Sequence, residues 1–242
     1  MNHQYSKGIA ATIRPLVMLA MSVALLTVTS HAQSANEGSL DQVLRQMDSV
    51  GKSFVSFKAH FIQKNYRAVL KEFDTPDSGE FYYARAKDGS ALLRQEVTRP
   101  GRRILTIKGG TAVIYQPRLN QASVANLGKN KDKVEYLALG LGQSPGKLRE
   151  SFEIKYQGGE NVSGAACAVL ALRPRNPSAA AWFSTILLWI KKSNGVPIQQ
   201  KLEEPNGDYL LVSFTEEKLN TAIPPSLFEQ QLPKGIEIIR LQ

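Results

Sequence analysis

Few side chains in this sequence are spaced for chemistry. Gly142-Gln143-Ser144-Pro145-Gly146 has the G-x-S-x-G spacing of a nucleophile elbow, where a tight strand-to-helix turn exposes a serine hydroxyl. That elbow needs a backbone N–H on the residue after the serine to hold an oxyanion, and here the residue is Pro145, which has none. The segment before it is predicted to be helical rather than extended. Ser144 therefore fits an N-cap with Pro145 at the first helical position. The same serine opens Ser144-x-x-Lys147, but neither a Ser-Asp-Asn nor a Lys-Thr-Gly partner is present.

Metal and acid–base chemistry fare no better. The chain has three histidines and one cysteine, and two of the histidines, His3 and His31, lie near the N-terminus. His60 and Cys167 stand alone, without the clustered ligands a metal needs. Cys167 sits in the apolar run 165–172 and reads as a small buried hydrophobe. Glu203-Glu204 and Glu216-Glu217 fall at strand ends, where neighbours point to opposite faces, so neither pair can share a proton. No catalytic residue, metal site or cofactor is expected.

The composition narrows the setting. The chain has 242 residues, 43% of them hydrophobic, and 30 basic against 21 acidic residues give a formal charge of +9. The basic clusters Arg99/Arg102/Arg103, Lys129/Lys131/Lys133, Arg173/Arg175 and Lys191/Lys192 are spread over loops without interleaved aromatics. They describe a solvated basic surface compatible with anionic lipid headgroups, and no nucleic-acid partner is expected. At the N-terminus, Lys7 and Arg14 precede an apolar stretch, residues 16–28, and Ser30-His31-Ala32 supplies small residues for a cut after Ala32. Residues 1–32 thus read as a cleaved export signal, with an uncleaved anchor as the alternative, and 33–242 as a single domain. Gln33 in place of cysteine means that the mature chain would carry no lipid of its own.

The mature segment opens on a helix and continues as strands. Ser39 with Gln42 resembles a capping box, and Leu40, Val43, Leu44, Met47 and Val50 repeat at helical spacing until Gly51. From Phe54 the apolar period becomes two. Eleven strands are predicted, over 54–62, 79–85, 91–97, 104–108, 111–116, 121–127, 152–157, 167–173, 185–191, 196–204 and 209–216. Glycine, proline and asparagine turns separate them. Short helices are predicted over 131–141 and 145–151. The fold expected is mainly β: an incomplete antiparallel barrel of about eleven strands with helices covering or plugging the concave face. That face must be filled by side chains, by the opening helix or by a ligand. Its candidate lining is Leu44, Met47, Phe57, Phe61, Phe81, Tyr83, Leu93, Val97 and Leu105.

Read strand by strand, the chain resembles the periplasmic outer-membrane lipoprotein carrier family, LolA. The family's F-x-A-x-F-x-Q strand stands here as Phe57-Lys58-Ala59-His60-Phe61-Ile62-Gln63, and its next strand end as Gly79-Glu80-Phe81-Tyr82-Tyr83-Ala84-Arg85-Ala86. Leu93-Arg94-Gln95-Glu96-Val97 with Pro100, Ile104-Leu105 to Gly109, Val113-Ile114-Tyr115-Gln116-Pro117, and Phe228 to Ile238 with Pro233-Lys234-Gly235 follow in the family's order. The departures are Ala86 for a proline, Gln95 for a tryptophan, and a glycine-rich middle segment.

The resemblance implies a periplasmic monomer whose hydrophobic cavity holds the acyl chains of lipoproteins. Cargo would come from an inner-membrane lipoprotein-releasing transporter and pass to an outer-membrane acceptor. It further implies that Arg85 is a latch between barrel and lid. By strand alternation Arg85 shares a face with Phe81 and Tyr83, so it either points inward to lid carbonyls or sits past the strand end in solvent. Carriage or sensing of another lipid on the same fold is the alternative. A periplasmic hydrolase or a binding protein for polar ligands is the third reading.

Overall fold

The computed structural model of the chain describes residues 28–128, 136 and 138–241, with the backbone course alone for 28–38. The apolar stretch of the expected export signal, up to Thr27, and most of the predicted 131–141 helix lie outside the described residues. Two compact units divide the chain, one ending at Ser39 and the other running from Leu40 to Gln242. The second holds the whole sheet.

Helix α1 covers Val28–Ser53, longer at both ends than the pattern predicts. Ser39 lies inside it rather than at its start. Gly51 does not stop it either, since the helix runs on to Ser53. On the helix face that meets the sheet, Val43, Leu44 and Met47 are buried.

Thirteen strands follow: β1 (Ser56–Arg67), β2 (Glu72–Phe73), β3 (Asp77–Arg85), β4 (Ala91–Arg99), β5 (Arg103–Lys108), β6 (Thr111–Gln116), β7 (Gln121–Asn126), β8 (Phe152–Val162), β9 (Ala165–Pro174), β10 (Thr185–Lys191), β11 (Pro197–Glu203), β12 (Tyr209–Leu219) and β13 (Glu237–Leu241). Helix α2 (Pro145–Ser151) precedes β8 and α3 (Pro177–Ala180) precedes β10. The eleven predicted strands are present. The two additional ones are the two-residue β2 and the C-terminal β13, which follows a stretch of turns and pairs parallel to β7. Every other pairing is antiparallel, in the order β13-β7-β6-β5-β4-β3-β1-β12-β11-β10-β9-β8 with β2 beside β1. β8 and β13 do not pair, so the sheet is an unclosed barrel.

Register fixes which side chains share the inner face, because a one-residue slip would turn every side chain over. Phe57, Tyr83, Leu93 and Ile107 stand in one cross-strand row, and Ala59, Phe81, Gln95 and Leu105 in the next. The inner face carries two clusters. Phe57, Phe81 and Phe214 meet at ring distances of 5.2–6.2 Å, with Phe54, Phe61, Val97 and Leu141 around them. Such aromatic pairs contribute about 1 kcal/mol each beyond burial. Beneath α1, Leu44 and Met47 join Leu139, Leu170, Leu172, Ile186 and Leu188.

Candidate functional site: a cavity at the open seam

A cavity of about 930 Å³ opens between the strand ends of β3–β7 and the stretch that leads through α2 into β8. Its walls come from both halves of the sheet. Tyr83 and Arg85 of β3, Ala91 of β4, Ile107 of β5, the Gly109-Gly110 turn and Leu127 after β7 form one side. Tyr136, Leu139, Gln143, Leu148 of α2, Phe152 at the start of β8, and Ala179 of α3 form the other. The lining is sorted by depth. Tyr83, Ile107, Leu139, Leu148 and Phe152 are buried, whereas Asp88, Lys147, Glu150 and Asn176 are exposed. The result is an apolar interior with a charged rim, and its size is at the upper end for a ligand pocket.

Local sequence explains how the second wall is held. Ser144 has extended backbone angles and its hydroxyl accepts from the Lys147 N–H, with Pro145 opening α2. This is the capping role expected of it, and it turns the serine away from nucleophilic chemistry. The cap aims α2 so that Leu148 is buried against Phe152. At the rim, the Ser90 hydroxyl and then its backbone N–H hold the Asp88 carboxyl below the usual carboxylate range.

Arg85 ends β3 exposed to solvent, at the mouth of the cavity. Its guanidinium donates a hydrogen bond to the Gly142 carbonyl and stands 5.8 Å from the Phe54 ring centre. Gly142 belongs to the segment 138–142, whose Ala138, Leu139 and Leu141 are buried in the two inner-face clusters. One polar contact thus joins the end of β3 to the segment that covers the concave face. With its donor exposed to solvent, a bond of this kind contributes about 1 kcal/mol or less.

Of the candidate lining residues, Tyr83 borders the cavity together with Arg85. Leu44, Met47, Phe57, Phe61, Phe81, Leu93 and Val97 are packed into the protein's own core, and Leu105 is half-buried against it. Helix α1 and the segment 138–142 occupy the middle of the concave face, which displaces the open volume to the seam. Toward the other end of the concave face, away from the cavity, Gln95 donates to Gln63 at 3.1 Å, and Asp77 pairs with Arg103 at 2.6 Å. The inner face is therefore polar toward that end. Leu127, Leu139, Leu148 and Phe152 escaped the sequence reading because they reach the cavity through closure of the two sheet halves. His60 lies on the opposite face, half-exposed between Glu80 at 2.5 Å and Glu216 at 3.6 Å. Among the described residues no three histidine, cysteine or carboxylate side chains come together as a metal site.

The comparisons with known proteins agree with this architecture. The model of the family described as outer membrane lipoprotein carrier protein LolA matches residues 52–231. The chain belongs to that family. An outer-membrane lipoprotein carrier protein of Pseudomonas fluorescens (strain Pf0-1) is 22% identical over 228 residues, covering 94% of this chain and all of the relative. One from Alkalilimnicola ehrlichii is 26% identical over 227 residues, covering 93% and 92%. Among solved structures, MucB aligns with a TM-score of 0.51 at 16% identity, over 84% of this chain and 66% of its own. An uncharacterized conserved protein from Thermus thermophilus aligns with a TM-score of 0.51 at 15% identity, over 86% and 99%. At such identities the two structures share the fold with this LolA-family chain.

Proposed function

We propose that this LolA-family protein is a periplasmic, non-enzymatic carrier that shelters the acyl chains of lipoproteins between the inner and outer membranes. The observation that carries the reading is the seam cavity, apolar in depth and charged at its rim, with Arg85 bonded across its edge to Gly142. Each methylene withdrawn from water contributes about 0.8 kcal/mol. A single chain of about 14 carbons then gains roughly 11 kcal/mol, well above any one polar contact. Affinity follows wall area, and no single residue dominates it.

Release is the harder step, because cargo held that firmly must be handed on. The Arg85–Gly142 bond supplies a competitor. It breaks as the covering segment lifts to admit a chain and re-forms as the chain leaves, offsetting part of the cost of extraction. An inner-membrane releasing transporter would load the cavity and an outer-membrane acceptor would empty it, with the export signal removed beforehand. Arg85→Leu replaces the competitor with more apolar wall. Loading of a diacylated lipopeptide should persist while its transfer to acceptor vesicles slows about tenfold or more. Equal transfer from both proteins would remove Arg85 from the mechanism. Mass spectrometry of the protein purified from its native periplasm tests the cargo: bound lipopeptide supports the lipoprotein reading. Free lipid alone would favour another amphiphile, and an empty cavity would count against a carrier.

A further inference from the structure

The hairpin joining β1 to β2 ends in two aliphatic side chains held out in solvent. Val69, at 91% exposure, is the most exposed large apolar residue among the described ones, and Leu70 beside it is 63% exposed. Pairing of β1 with β3 stops at Gln63 and pairing with β12 stops at Tyr66, so the loop 68–71 projects past both neighbours. Its shape is fixed by the chain itself. Lys71 adopts a left-handed conformation, φ 56°, and the Ala68 N–H donates to Asp208 at 2.8 Å. Two aliphatic groups are thus held in water on a braced tip.

Directly behind the tip lies a tier of aromatics. Tyr66 stacks on Tyr209 at 4.7 Å, and Phe73 packs edge-on against them at 5.3 and 5.8 Å. Lys201 and Lys64 set their ammonium groups 4.1 and 5.9 Å from the Tyr209 and Phe73 ring centres. Aliphatic tip, aromatic belt and lysines beside the belt is the depth order that a bilayer interface selects. The charges fit as well. Asp74 and Asp208 are taken up by Arg67 at 2.9 and 3.3 Å, and Glu72 lies across the ladder from Arg67. Arg67 alone cannot offset three carboxylates, but Lys71 at the tip and Lys64 beside it balance the rest, and without Lys7 and Arg14 of the expected signal the chain keeps a formal charge of +7 that draws it toward anionic headgroups. A folded partner would need a socket shaped for this projection; a fluid bilayer needs none.

We propose that the β1–β2 hairpin is a membrane-docking tip that inserts Val69 and Leu70 into the interface of a lipid bilayer. This goes beyond the carrier reading and stands on the tip's own chemistry. The test uses the full chain with an environment-sensitive fluorophore on Val69→Cys, and a control label on Ser193→Cys in the exposed turn between β10 and β11. Cys167 is buried, which confines labelling to the introduced thiol. With phosphatidylethanolamine/phosphatidylglycerol vesicles, the label at 69 should shift to the blue and be quenched by brominated acyl chains, while the label at 193 should not. Adding Leu70→Asp should lower vesicle binding read at position 69 by about tenfold or more. Equal aqueous spectra at 69 and 193, or binding indifferent to Leu70→Asp, would overturn the proposal. Lipid content of the same samples, measured separately, reads the cavity: loss of cavity loading with an inserted tip would count against the carrier reading alone.

Discussion

Replacing Gly142 by alanine should strike the covering segment and its tie to β3 together. Gly142 has φ +65°, a conformation that costs alanine about 1 kcal/mol. A Cβ there would also fall 2.5 Å from the Phe54 ring carbons, and Phe54 is buried against Tyr83 at a ring distance of 5.7 Å. Relieving that overlap costs about 1–3 kcal/mol in a packed core. The Gly142 carbonyl moves with the segment, which weakens the bond from Arg85. The total loss is about 3 kcal/mol, or a drop of about 1 M in the urea midpoint.

Gly146→Ala provides the control. It lies in α2, where a Cβ meets nothing within 4 Å, so alanine should leave stability unchanged or raise it by about 0.5–1 kcal/mol. Combining Gly142→Ala with Arg85→Leu supplies a second readout. If both act through one bond, the double variant loses less than the sum of the single losses. Urea unfolding followed by tryptophan fluorescence measures all of these. A Gly142→Ala protein within about 1 kcal/mol of the parent, or strict additivity with Arg85→Leu, would refute the account of the covering segment.

Ala91→Phe adds a ring to the cavity wall beside Arg85 and should lower the bound lipid recovered by mass spectrometry without lowering the melting temperature; unchanged lipid would place cargo elsewhere. At Glu96 burial pushes the carboxyl up, but hydrogen bonds from Arg94 and Arg102 outweigh it and leave it below its ordinary value of 4.5. A lowered folded value gives stability that is present above pH 4.5 and lost as pH falls through the depressed value. Glu96→Gln should cost about 1 kcal/mol at pH 7 and flatten the acid limb of a stability–pH curve; an unchanged limb would refute this. Burial raises the Cys167 thiol above its usual range, so at pH 8 alkylation should follow global unfolding, and labelling at the rate of a free thiol would show local opening of β9.

The strands were legible because their apolar residues alternate and their turns are marked. Thr111–Gln116 and Thr185–Lys191 fall where the alternation and the glycine and asparagine turns place them. Glu72–Phe73 is too short to carry a period, and Glu237–Leu241 is exposed throughout and gains its ladder from a partner more than a hundred residues away. Helix α1 ran past both expected ends. Ser39 lies within the helix and Gly51 two residues before its end, and neither marks a boundary.

The same limit explains the site. Alternation identifies which residues face inward, and Phe57, Phe81 and Leu93 do. It says nothing of which inward residues meet protein and which meet open space. That choice is made by α1 and by 138–142, which press into the concave face and leave volume at the seam between Leu127 and Phe152. Arg85 lies where these two levels meet. Strand period put it on the inner face, and the path of the covering segment gave it a carbonyl to bind. A segment fastened by apolar packing along its length and by one arginine at its edge can part from the sheet at that edge first. There opening breaks one solvent-exposed hydrogen bond before it disturbs the buried Ala138, Leu139 and Leu141. The carrier function proposed above would have a hydrocarbon chain enter at this edge, beside Arg85.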